Sequence, residues 1–183
     1  MRSIADFAEK LASRHWWTAA DYPDLPEDLR CEIYGGGLRA VPAGSPGHQV
    51  VCAEVAEVLR RSVPDRRMVV HAVDLQAEDE IFIPDVIVTR EVTRELPVPA
   101  AAVDLIVEVV ENENIERTTK MRAYAAAGIP AYIVIDGEDG RRTAYVYGLS
   151  DGNYERTALA AFDTRLTVTE PFHYLIDMKK INN

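Results

Sequence analysis

Residues 103–136 read VDLIVEVVENENIERTTKMRAYAAAGIPAYIVID, and this stretch decides the fold. Its first eight residues carry LIV with no polar alternation around it, a run apolar on both faces. That pattern fits a strand buried on both sides, in a sheet covered by helices. ENIERTTKMRAYAAAG has helical composition, and Gly128 followed by Pro130 is a strong stop. AYIVID is a second buried strand. The unit therefore reads strand, helix, strand, with parallel strands and a right-handed crossover expected.

Working outward, MVVHAVDL (68–75) and IFIPDVIVT (81–89) read as further strands. TAYVYGL, NYERTAL and RLTVT alternate more and read as antiparallel strands that extend or flank the sheet. CEIY and LRAV, separated by Gly35, Gly36 and Gly37, read as two short strands joined by a turn. Residues 48–61 place Val51, Val55, Val58 and Leu59 on one face of an amphipathic helix that closes in Arg60 and Arg61. Ile4, Phe7, Ala8 and Leu11 behind Ser3 predict a peripheral helix over 3–13. The expectation is a single α/β domain over 1–183, with its core at about 21–170 and a mixed central sheet flanked by helices.

The chain has 183 residues, 30 acids and 20 Lys plus Arg, for a net charge of −10. The excess is local. Twelve acids and two bases lie between Asp74 and Glu116, and the remainder balances. A surface basic all over is excluded, so nonspecific counterion-release binding to DNA is not the default expectation, although a local basic patch remains open. No stretch approaches the ~20 apolar residues of a membrane span, and the N-terminus lacks a signal-peptide run. The expected location is cytoplasmic. Cys31 and Cys52 form neither a disulfide framework nor a CxxC site and read as reduced structural thiols.

Two acids stand out by position. Asp85 follows Pro84 at the head of the strand VIV, and Glu108 ends the apolar run DLIV. A carboxylate at the end of a buried strand is costly to desolvate unless it is paired, hydrogen-bonded or bound to a metal. Lys120 lies within reach on the next helix, and Glu116 and Tyr124 share its face at i, i+4 spacing. Spacing alone leaves two readings open. In one, Glu108 and Lys120 form a buried ion pair, Asp85 caps a turn, and no metal binds. In the other, Asp85, Glu108 and the carbonyl after Glu108 supply the hard oxygen donors that Mg²⁺ prefers, and Lys120 supports phosphodiester hydrolysis.

The series EIYGG, GHQV, IPDVIV, LIVEVV, then Lys120 with AYAAAGIPAYIVID, resembles the Uma2 family, also known as DUF820, within the PD-(D/E)XK nuclease superfamily. The resemblance runs from about Asp21 to the C-terminal strands. It implies a restriction-endonuclease-like core and an Mg²⁺- or Mn²⁺-dependent endonuclease acting on DNA, with Asp85 and Glu108 as metal ligands and Lys120 as the catalytic lysine. The superfamily's lysine usually stands two residues after the acid, where this chain has Val110. Glu111, Asn112, Glu113 and Asn114 replace a Ser-Pro-Ser-like stretch. A non-catalytic member that binds nucleic acid or protein is the alternative, and a phosphohydrolase acting on a small ester is a third reading.

The accessory candidates are Glu32, His48 and Glu116. Glu32 in CEIYGG matches a family acid and reads equally well as metal-proximal or structural. His48 either touches a phosphate, carries a proton, or makes a helix-start hydrogen bond. Arg60, Arg61, Arg66 and Arg67 form the densest basic cluster, read as complementing a helix C-terminus or contacting a DNA backbone. Trp16 and Trp17 read as base-stacking residues or, more commonly beside an amphipathic helix, as core or dimer contacts, and with the superfamily resemblance they favour a homodimer. His71 and His173 read as satisfied core or edge residues.

Overall fold

In the computed structural model, which describes residues 11, 13–26, 28–110, 115–137 and 141–181, the strand-helix-strand unit forms as Val103–Val110, Ile115–Ala126 and Ala131–Asp136. In chain order the strands are β1 (Cys31–Tyr34), β2 (Gly37–Ala40), β3 (Met68–His71), β4 (Leu75–Ala77), β5 (Glu80–Phe82), β6 (Val86–Thr89) and β7 (Val98–Pro99). They continue as β8 (Val103–Val110), β9 (Ala131–Asp136), β10 (Thr143–Ser150), β11 (Asn153–Ala160), β12 (Arg165–Val168) and β13 (Tyr174–Asp177). The helices are α1 (Pro46–Ser62), α2 (Ile115–Ala126) and the single turn α3 (Met178–Ile181).

β8 lies inside a six-stranded mixed sheet of order β11-β10-β9-β8-β6-β3. It pairs in parallel with β9, from Leu105↔Ala131 to Val110↔Asp136, and antiparallel with β6. Its residues from Val103 to Val109 are all buried, as a strand covered on both faces requires. Val51, Val55 and Leu59 of α1 pack with Leu105, Val107, Ile133 and Ile176 on one face. On the other, Ile106, Tyr132 and Val134 meet Tyr124 of α2 and Phe82 and Leu75 of a second sheet. α2 stops where expected, because Gly128 at φ +75° takes a left-handed conformation that side-chain-bearing residues rarely adopt.

Two expected strands divide, and the division builds the site. MVVHAVDL ends β3 at His71, turns through Ala72 at φ +45°, and restarts as β4 at Leu75. IFIPDVIVT divides at Ile83–Asp85, because Pro84 has no N–H to continue a ladder. β4 and β5 join a five-stranded sheet of order β2-β1-β5-β4-β7, while β3 and β6 stay in the six-stranded one. β12 and β13 form a separate antiparallel hairpin. Most of the predicted helix at 3–13 lies outside the described residues. Among the described residues, no helix is long and apolar enough to cross a membrane.

Candidate active site

The crossing point of the two sheets opens into a cleft of about 440 Å³ whose lining includes Glu32, His48, Cys52, Asp85, Glu108 and Lys120. β1 delivers Glu32, α1 His48 and Cys52, β8 Glu108 and α2 Lys120, while Asp85 stands just ahead of β6. β6 pairs with β8 through Val86↔Val107, so the antiparallel register brings Asp85, one residue earlier, level with Glu108. The Val109 N–H donates to Asp85 Oδ2 at 2.8 Å and ties the two strand ends together.

Lys120 comes from the second turn of α2. Its Nζ lies 2.7 Å from Glu32 Oε1 and 3.6 Å from Glu108 Oε1. Glu32 is 1% exposed, and its Oε1 also accepts the Ile83 N–H at 2.9 Å. The Tyr124 hydroxyl, one helical turn beyond Lys120, donates to Glu108 Oε1 at 2.8 Å. Phe82 and Tyr132 meet the Tyr124 ring edge-on and fix its place.

The charges are unequal. Burial raises the Glu108 pKa far above the carboxylate range, and the carboxylates of Asp85 and Glu32 add to it; Lys120 and the Tyr124 hydrogen bond oppose the shift. Burial works to lower the Lys120 pKa, but Glu108, Glu32 and Asp85 together outweigh it and raise it above the ordinary lysine range. The site therefore favours the charged form of Lys120 and the protonated form of Glu108.

On the opposite wall, Ser45 caps α1 by accepting the His48 N–H, and the His48 ring turns inward, with Nε2 3.2 Å from Asp85 Oδ2. A Cβ at Gly44 would collide with that ring, so the glycine in VPAGSPG makes room for it. Cys52, one turn along α1, places Sγ 3.6 Å from His48 Nδ1. Burial, then Asp85 and Glu108, push its thiol pKa far up.

The structure thus brings together Asp85, Glu108, Lys120, Glu32 and His48. Glu116 stands in the first turn of α2, and its side chain lies outside the described set, as do Glu111 and Glu113. His71 lines the cleft and meets Arg60 Nη2 at 2.7 Å; burial and that guanidinium lower its pKa. His173 is exposed, as the edge alternative expects. The arginine cluster disperses: Arg61 pairs with Glu57, Arg66 with Glu91, and Arg67 with Asp104. Cys52, expected from sequence as a structural thiol, joins the cleft through its i, i+4 spacing from His48.

The family profile of Uma2, described as "Putative restriction endonuclease", matches residues 19–178. The chain belongs to the Uma2 family. No curated protein matches it significantly. Among solved structures, a crystal structure described as "a putative nuclease belonging to DUF820 from Anabaena variabilis" superimposes with a TM-score of 0.68 at 19% identity, covering 90% of this chain and 96% of that one. At that identity the likeness establishes the shared fold, the restriction-endonuclease-like mixed α/β core.

Uma2 membership implies metal dependence, and the donors of this Uma2 chain fit a hard divalent cation. Asp85 Oδ1 and Glu108 Oε2 make no hydrogen bond among the described residues, while their partner oxygens are held by Val109, His48 and Tyr124. Two anchored carboxylates, each with one oxygen uncommitted, suit Mg²⁺ or Mn²⁺. Val110 stands two residues after Glu108, and the ammonium that approaches Glu108 comes from α2.

Proposed function

We propose that this cleft hydrolyses phosphodiester bonds of DNA, with Asp85 and Glu108 as ligands of Mg²⁺ or Mn²⁺. The observation that carries the reading is Lys120, whose ammonium reaches to 3.6 Å of Glu108 from a different element than the motif's usual lysine. When bound, the cation supplies a Lewis acid for the phosphoryl oxygens and lowers the pKa of a bound water. Lys120, whose charged form the surrounding carboxylates favour, orients the attacking water and offsets charge building on the phosphoryl group. Glu32 holds the ammonium in place. The Val109 N–H and His48 hold the Asp85 carboxylate.

The test is cleavage of supercoiled, linear and single-stranded DNA with Mg²⁺ and with Mn²⁺. Cleavage is expected to vanish in chelator and in Asp85→Ala, Glu108→Ala and Lys120→Ala. Wild-type cleavage that survives chelation overturns the mechanism.

One observation favours a second reading. Glu32, Lys120 and Glu108 neutralise part of one another's charge, as a non-catalytic binding domain would require. Calorimetric titration with Mg²⁺ or Mn²⁺ separates the two, since no uptake at Asp85 and Glu108 supports the binding module. We also propose a homodimer, with Trp16, 66% exposed, at its contact. A monomer by light scattering rejects that assignment.

A further inference from the structure

His48 and Cys52 stand one turn apart on α1, so both side chains leave the same face of the helix. Both line the cleft together with Asp85. His48 Nε2 lies 3.2 Å from Asp85 Oδ2 and 3.9 Å from Cys52 Sγ. One ligand atom from each of the three lies within 4.8 Å of the other two. A tetrahedral zinc ion, with Zn–S near 2.3 Å and Zn–N and Zn–O near 2.0 Å, holds nitrogen and oxygen about 3.3 Å apart and nitrogen and sulfur about 3.6 Å apart. The His48–Asp85 and His48–Cys52 separations lie within a few tenths of an ångström of that geometry.

Their chemistry differs from that of the carboxylate pair. Thiolate and imidazole select a borderline-soft ion such as Zn²⁺ and are poor ligands for Mg²⁺. Three protein ligands leave a fourth position open to the cleft. Asp85 belongs to both sets. A cation that draws on Asp85 from one set lowers the charge that the same carboxylate offers the other.

We propose that His48, Cys52 and Asp85 form a zinc site that competes with the Mg²⁺ site through Asp85 and so switches the cleft off. Zinc binding expels the Cys52 proton to solvent and involves no redox change. The inhibitory half rests on the nuclease reading; the binding half does not.

The experiment uses Co²⁺ as a spectroscopic stand-in for Zn²⁺ on the full chain. Wild type should show a thiolate-to-cobalt charge-transfer band and intense tetrahedral visible bands, both bleached by Zn²⁺. Cys52→Ala should lose the charge-transfer band, while Cys31→Ser and Lys120→Ala should retain it. Circular dichroism confirms that each variant folds, and Cys52→Ser serves if Cys52→Ala does not. Absence of the band in wild type, or its persistence in a folded Cys52 variant, overturns the site. For inhibition, each protein is compared with its own zinc-free Mg²⁺-dependent rate, and the Cys52 variant should need more Zn²⁺ for half-inhibition. Equal sensitivity overturns the switch. If wild type shows no Mg²⁺-dependent cleavage, the nuclease reading and the switch fail together, and the cobalt spectra alone decide the metal site.

Discussion

Lys120 Nζ lies 2.7 Å from Glu32 Oε1, nearer than its 3.6 Å approach to Glu108. Glu32 is the primary partner of the proposed catalytic lysine, and it reaches Lys120 from the other sheet. Glu32→Gln keeps an acceptor for the Ile83 N–H but removes the charge. Cleavage should fall by roughly ten- to a hundredfold, the equivalent of the about 1.5–3 kcal/mol of a charge-assisted hydrogen bond. Mg²⁺ affinity measured by calorimetry should barely change. A large loss of affinity would instead make Glu32 a ligand.

Lys120→Ala removes the ammonium from among three carboxylates. The metal-free protein should lose about 3–5 kcal/mol, as when one partner of a buried pair is removed. Mn²⁺ should restore part of the loss by supplying the missing positive charge. Denaturant titration in chelator and in Mn²⁺ measures both quantities; an unchanged midpoint in chelator would show that the pairing contributes nothing.

Glu108, raised to about 8 by burial and by the neighbouring acids, makes the protein pH-sensitive. A carboxyl whose folded pKa exceeds its unfolded value stabilises fully below the unfolded value, and that contribution is lost as pH rises through the folded one. Metal-free stability should therefore decline between about pH 4.5 and 8, and Glu108→Gln should flatten that decline. A cation needs the ionised form, so Mn²⁺ affinity should rise over the same interval and level off near pH 8. Affinity independent of pH from 6 to 8 would remove Glu108 from the ligand set.

Tyr124→Phe deletes the hydroxyl that donates to Glu108 Oε1 at 2.8 Å, where both groups are buried. The cost should be about 1–3 kcal/mol of stability. Glu108 should also hold its proton to higher pH, so Mn²⁺ affinity at pH 7 should fall while affinity at pH 9 recovers. An equal loss at both pH values would point to misplacement of the carboxylate.

Asp104, near the other end of β8, pairs with Arg67 at 2.6 Å and with Arg90 at 2.9 Å. It serves as a control. Asp104→Asn should cost about 3 kcal/mol and leave cation affinity unchanged. Loss of metal binding would show that the two ends of the strand are coupled.

The sequence by itself determined the βαβ unit, because burial on both faces, helical composition and the Gly128 stop are encoded within residues 103–136. It also marked Asp85, Glu108 and Lys120, since ionisable groups beside apolar strands need partners. Only the tertiary structure decided that IFIPDVIVT divides between two sheets at Pro84, that Glu32 crosses to Lys120, and that His48 and Cys52 share Asp85. The arginines show the same limit in reverse: Arg61 pairs within its own helix with Glu57, while Arg66 and Arg67 reach Glu91 and Asp104 far along the chain. Hydrophobic pattern records which face of an element is buried. Which groups hydrogen-bond across 51 residues, as the Ile83 N–H does with the Glu32 carboxylate, depends on how the strands pair in space, which a local pattern does not contain.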